Sequence, residues 1–151
     1  MNTQEKGGIH IYTIEQLSMI TGLTSRTLRN YLKSGLLQGS KETCIWQFTE
    51  QQVSDFLTHP AVYPSIQTKQ NAIVYDFLSD LNQSENEECI LLNRTIEESK
   101  AKEIADFFCT AVSELSHIRF TYTYHAGKAH YILKGSEDDI SRIMERFYQQ
   151  V

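Results

Sequence analysis

Arg26, Arg29 and Lys33 are the residues whose type and spacing first suggest chemistry. Steps of three and four residues place all three on one side of a helix. A guanidinium can form two hydrogen bonds to the edge of a guanine, and an ammonium suits a phosphate. Leu28 and Leu32 share the opposite side, with Tyr31 beside them. A helix with one apolar side and one side of long cationic donors fits the DNA major groove. Taken alone, the three cations are better explained as a solvated helix face, so their neighbours must decide.

Other candidate chemistry is thinner. His125 and His130 flank the turn-like Ala126-Gly127-Lys128 and would face one another if Gly127-Lys128 were a two-residue turn. His117 shares their strand parity but lies eight residues from His125, and exposed hairpin histidines are the plainer expectation than a metal site. Cys44, Cys89 and Cys109 are odd in number and lack a Cys-x-x-Cys pair, which fits a reducing cytoplasm and no disulfide scaffold. Phe107, Phe108, Phe120, Tyr122, Tyr124, Tyr131, Phe147 and Tyr148 could line an effector pocket, although core packing or a subunit interface is the simpler use. There is no glycine-rich phosphate loop, no Gly-x-Ser-x-Gly elbow and no metal-spaced cluster. The acidic pairs Glu97-Glu98 and Asp138-Asp139 belong in first helical turns, where the helix dipole favours them. No enzymatic activity, no metal and no cofactor are expected.

The elements that position the cations read clearly. Thr13 and Gln16 form a capping box, so a helix begins at Ile14, with Ile14, Leu17 and Ile20 inward. Gly22 suits the left-handed turn after it. Thr24 or Ser25 caps the next helix, and Gly35 ends it before Leu36 and Leu37. Residues 38–47 hold a polar centre between apolar ends and read as a hairpin wing. Thr49 caps a third helix, Glu50 to Leu57, and His59-Pro60 stops it.

This register resembles the DNA-binding domain of MerR-family transcription regulators and the related excisionase-type winged helices. The carrying motifs are Tyr12-Thr13-Ile14, Arg26-Thr27-Leu28-Arg29, Gly35-Leu36-Leu37 and Phe48-Thr49-Glu50. The likeness covers roughly residues 11–58. It implies a recognition helix in the major groove and a short wing. Asn30 stands where the family often has an aromatic, and Trp46 and Gln47 stand where it often has wing arginines. The candidate DNA-contacting set is Thr13, Thr24, Ser25, Arg26, Thr27, Arg29, Asn30, Lys33, Lys41 and Gln47. Arg26 and Arg29 are assigned to bases, Lys33 and Lys41 to phosphates, and Thr24 or Ser25 to a phosphate at the helix start.

The 151 residues are enough for two small domains. Pro60 to Ser65 is the expected boundary, giving 1–60 and 66–151. The net charge is −5, yet residues 1–60 balance five Lys/Arg against five acids, and the acidic excess lies in 61–151. Three of those five cations share one helix, a local footprint and not a basic coat. No apolar run approaches a membrane span, and residues 1–12 lack a signal-peptide core.

After the boundary, a helix is expected over Ile66–Leu81 and a loop over Asn82–Glu88. A strand follows at Cys89–Leu92, then a helix capped by Thr95 and Glu98. Alternating Ile118 to Tyr124 is a strand, Ala129–Lys134 its return, and Ser136 with Asp139 caps a final helix. The fold class is thus a mainly helical winged helix-turn-helix followed by a small α+β domain of α-β-α-β-β-α order, with the two later helices on one face of a three-stranded sheet. The family's long dimerising helix is missing. Homodimerisation is assigned to the apolar stripe Ile73, Val74, Phe77 and Leu78, with an open sheet edge as the second route. The expectation is a cytoplasmic, sequence-specific transcription regulator on an inverted-repeat operator, with a small-molecule effector as a candidate partner. The alternatives are an architectural DNA-bending protein and a protein-interaction adaptor that keeps the helix-turn-helix as scaffold.

Overall fold

The computed structural model describes residues 4–6, 9–79, 86–115 and 117–150. The first half is built around a four-stranded antiparallel sheet of order β1-β2-β4-β3. Its strands are β1 (Gln4–Lys6), β2 (Ile9–Tyr12), β3 (Ser40–Glu42) and β4 (Ile45–Thr49), with helices α1 (Ile14–Thr21) and α2 (Ser25–Ser34) between β2 and β3, and α3 (Glu50–Leu57) after β4. The short strand β1 carries no alternation to announce it and exists by pairing with β2.

Local chemistry sets these boundaries. Thr13 accepts the Gln16 amide while the Gln16 side chain accepts the Thr13 amide at 2.9 Å. Thr49 and Gln52 repeat the same capping box at α3. Gly22 closes α1 with φ of 76° and Gly35 closes α2 with φ of 84°, a conformation that costs a residue with a Cβ.

The second half contains α4 (Tyr63–Ser79), β5 (Glu87–Thr95), α5 (Glu98–Ser113), β6 (Arg119–His125), β7 (Lys128–Ser136) and α6 (Glu137–Gln150). The three strands form an antiparallel sheet of order β5-β7-β6. Phe120, Tyr122, Tyr131 and Leu133 lie on the face covered by α5 and α6, where rings of Phe108 and Phe147 stand 4.9 Å apart. Thr121, Thr123 and Ile132 lie on the other face, beside α4.

Several boundaries differ from the sequence reading. The helix expected over Ile66–Leu81 starts at Tyr63, inside the expected linker, because Val62 and His59 backbone groups already carry its first turn. Leu81 and residues 82–85 of the expected loop lie outside the described residues, while Glu87 and Glu88 are strand. β5 extends well beyond Cys89–Leu92, since the nine-residue β7 offers every one of its positions a partner. That pairing claims Thr95, opposite Lys128, so Thr95 does not cap α5; Glu97 occupies the cap position without a side-chain bond. The hairpin turn is Ala126-Gly127, with φ of 52° and 78°, because His125 pairs with Lys128.

The two halves share a continuous apolar core. Helix α1 packs against β6 and α5 as well as against α2. Gly22 sits at this junction, where a Cβ would come within 3.2 Å of Lys69 Cβ. A polar node reinforces it. Lys102 on α5 is only 6% exposed, and its Nζ donates to the Glu50 carbonyl at 2.9 Å and lies 3.4 Å from Glu98. Glu98 in turn accepts from the Ser54 hydroxyl of α3. Replacing Lys102 by Met keeps the stem but removes its bond to the Glu50 carbonyl and leaves Glu98 without its cation. Lys102→Met is expected to lower stability by about 1–3 kcal/mol, read as a shifted urea midpoint with an unchanged slope.

Candidate nucleic-acid interface

Helix α2 is held by a turn whose side chains do the work of a longer loop. Thr21 Oγ1 donates to the Leu17 carbonyl at 2.7 Å and accepts from the Leu23 amide at 3.1 Å. Ser18 Oγ donates to the Leu23 carbonyl at 2.6 Å. Leu23 is thereby pinned into the core, and Thr24 becomes the cap of α2, accepting from the Thr27 amide at 3.2 Å. Between the two candidate caps, the structure selects Thr24. Ser25 is the first helical residue.

The inner side of α2 carries Leu28, fully buried, and half-buried Tyr31 and Leu32. Tyr31 meets Phe56 of α3 edge-on at 5.5 Å between ring centres. The outer side carries Arg26, Arg29, Asn30 and Lys33, all exposed. No carboxylate pairs with these three cations among the described residues, so their charge faces outward at full strength for a phosphate or base edge. Thr27 is half-buried and bonded to Thr24, which leaves it a supporting position at the helix start.

The wing is the β3-β4 hairpin, turning at Thr43 and Cys44 with φ of 49° and 66°. Lys41 is exposed and its ammonium lies 5.6 Å over the Trp46 ring, which stacks on Phe48 at 6.4 Å. Phe48 is fully buried and Trp46 half-buried against the core. The two aromatics therefore anchor the wing. Gln47 stands half-buried opposite Ser40 on the reverse face. Thr13 is committed to its capping box. Of the ten candidates, the structure brings Arg26, Arg29, Asn30 and Lys33 onto one open face, with Thr24 and Ser25 at its start.

Residues 12–58, from the end of β2 to the end of α3, match a family model described as MerR HTH family regulatory protein. This segment is similar to the helix-turn-helix of MerR-family regulatory proteins. Comparison with curated proteins and with solved structures finds no match. The match spans under a third of the chain and is a likeness to DNA-binding regulators over that segment. Among the described residues no helix is long and apolar enough to cross a membrane.

The remaining candidates resolve differently. Tyr12, the first residue of the matched segment, is buried where the two halves meet. Burial, and then the nearby Asp106 and Glu50 carboxylates, push its phenol far above the ordinary tyrosine range. Burial does the same to the Cys109 thiol, which leaves it a poor ligand or nucleophile. His125 and His130 do not face each other. His130 lies opposite Thr123 and Asn93 and bonds the Asn93 side chain, while His125 stacks on Tyr63 at 5.0 Å. His117 precedes β6 with φ of 69°. Groups of His, Cys, Asp or Glu able to hold a metal are absent among the described residues.

The aromatic set packs mostly as core between sheet and helices, with Phe108, Phe120, Tyr122, Tyr131 and Phe147 buried and Tyr148 outside. Phe107 and Phe147 also line a small cleft of about 170 Å³ beside Arg94 and Ile104, while a cleft of about 620 Å³ lies on the opposite face between α4 and the sheet, with Gln70 Nε2 buried beside it without a hydrogen-bond partner. Of the dimerisation stripe, Ile73 is only 2% exposed inside its own chain and Val74 and Phe77 are half-buried. The open apolar residues of α4 are Leu78, 75% exposed, and Tyr75, 71% exposed and missed in sequence because a tyrosine breaks no pattern.

Gly39 is the other position that sequence reasoning passed over. A Cβ there would sit 2.6 Å from the Phe48 ring. Phe48 has no room to retreat, so Gly39→Ala is expected to destabilise the protein by about 1–3 kcal/mol. Thermal unfolding at constant pH measures it.

Proposed function

We propose that the chain is a sequence-specific transcription regulator that lays α2 in the major groove. The observation that carries this reading is the open face of Arg26, Arg29, Asn30 and Lys33 on a capped helix within the MerR-like segment. In this reading Arg26 and Arg29 read base edges, Lys33 and Lys41 hold phosphates, and Thr24, Ser25 and the first amides of α2 meet a phosphate at the helix start. Thr13 and Thr27, engaged at helix starts, and Gln47, on the reverse face of the wing, are given no DNA contact in this reading. Residues 1–60 carry the DNA, and residues 66–151 carry assembly or sensing.

One recognition helix covers a half-site. Helix-turn-helix proteins commonly gain specific affinity from two half-sites about 34 Å apart. We therefore read the active species as a homodimer joined through residues 66–151, acting on an inverted repeat. Exposed Leu78 and Tyr75 and the open edge of the second sheet support that reading. A small effector, if the protein senses one, finds its best lodging in the cleft beside Gln70. An architectural binder would bend its site regardless of ligand, and an adaptor would show no salt-sensitive DNA binding.

Arg26→Ala and Arg29→Ala are each expected to cost about 1–3 kcal/mol in discrimination between the operator and a mismatched site. Fluorescence anisotropy across a salt series reads this, and unchanged affinity and specificity in both variants defeats the assignment. In the same titration Lys33→Ala is expected to weaken all sequences alike and to reduce the slope of log K against log salt by about one.

A further inference from the structure

The second sheet has two ends of unlike character. At one end, β6 packs against α1. At the other, β5 pairs with β7 over all nine of its residues, without a bulge or proline, and its outer edge has no strand partner among the described residues. Proteins normally blunt such an edge, because its unpaired amides and carbonyls template a further strand. We propose that β5 pairs antiparallel with β5 of a second copy of this chain, about a two-fold axis through Leu91, so that Glu88 faces the partner's Arg94 and Arg94 faces the partner's Glu88. This deepens the dimeric reading above and rests on it.

The strand's own residues select this register. Directly opposed residues in an antiparallel pair turn their amides and carbonyls the same way, so two identical strands meet with the axis through a residue. An axis through Cys89 or Ile90 sets Glu88 against an apolar residue, and one through Leu92 does the same to Arg94. The axis through Leu91 alone opposes acid to base, and symmetry makes the pair twice. It also sets Ile90 against the partner's Leu92. Opposite charges and apolar pairs directly across a ladder are the favourable cross-strand combinations.

The side chains are placed for it. Glu88, Ile90, Leu92 and Arg94 share the sheet face covered by α5 and α6, and all four are half-buried. Glu88 accepts from Ser141 Oγ at 2.9 Å and the Arg94 guanidinium lies 5.7 Å over Phe147, so each is steadied beside the edge by its own chain. On the opposite face Leu91 is 55% exposed, and the axis would seat it against its own copy.

Sedimentation equilibrium of the full chain without DNA, at tens of micromolar, tests the pairing. The natural sequence is expected to be a dimer. Glu88→Arg and Arg94→Glu each create two like-charge pairs and are expected to weaken dimerisation about tenfold or more. The double variant Glu88→Arg/Arg94→Glu restores opposite charges and the dimer. Leu91→Asp, at an exposed position that spares the fold, is expected to give a monomer, and Phe77→Glu on α4 to leave the dimer intact. Circular dichroism melting verifies that each variant is folded. A monomeric natural protein overturns both the pairing and the dimeric reading. A natural dimer that survives Leu91→Asp, or that Phe77→Glu dissolves, overturns the pairing and leaves the dimer standing. Folded single-charge variants that are not rescued by the double variant overturn the register. DNA affinity of the arginine variants on α2 is read separately and is untouched by any of these results.

Discussion

The burial of α1 between two neighbours is the constraint on which the rest of the structure depends. One side of α1 supports α2, and with it the cationic face. The other side packs on β6 and α5. A short amphipathic helix normally supplies one apolar stripe to one partner. Here Leu17 and Ile20 are almost completely buried because both partners are present at once. Gly22 serves the left-handed turn into α2, and an added Cβ there would also crowd Lys69 at 3.2 Å. The placement of α2 relative to the second sheet therefore depends on α1 and on Gly22.

The same junction distributes polarity in an unusual way. Lys102, Glu98, Ser54 and the Glu50 carbonyl form a partly sheltered node between α3 and α5. A buried ammonium is tolerated only when its hydrogen bonds are made, and a node of this kind specifies one arrangement of the helices more than it adds stability. Tyr12 and Asp106 belong to the same neighbourhood, where burial keeps the phenol protonated. The junction is thus specific as well as apolar. Among the described residues β6 packs on α1, and the outer edge of β5 has no strand partner.

Much of the first half was legible because its determinants are local. Thr13 with Gln16, Thr49 with Gln52, Gly22 and Gly35 each act within a few residues, so their types and spacing state the helix ends directly. Arg26, Arg29 and Lys33 declare a shared face through helical geometry alone. The choice of Thr24 over Ser25 was already beyond local rules, since it depends on Leu23 being drawn into the core by Ser18 and Thr21. Gly39 was invisible for the same reason: its constraint is the ring of Phe48, which reaches it across the hairpin.

In the second half, tertiary contacts overrode local signals. Thr95 and Glu98 spell a capping box, yet Thr95 is strand, because pairing with Lys128 satisfies its backbone before a helix start can claim it. The histidines were separated by a one-residue difference in the turn, a shift that changes every cross-strand partner. Ile73 carries the same apolar signal as Leu78, but α4 lies on the sheet and buries one while leaving the other open. The sequence by itself determined the helix-turn-helix, its caps and its cationic face, since capping and helical periodicity act over three or four residues. Only the tertiary structure decided which apolar residues remained for a partner and which sheet edge stayed free, because burial and strand pairing depend on residues far apart in the chain.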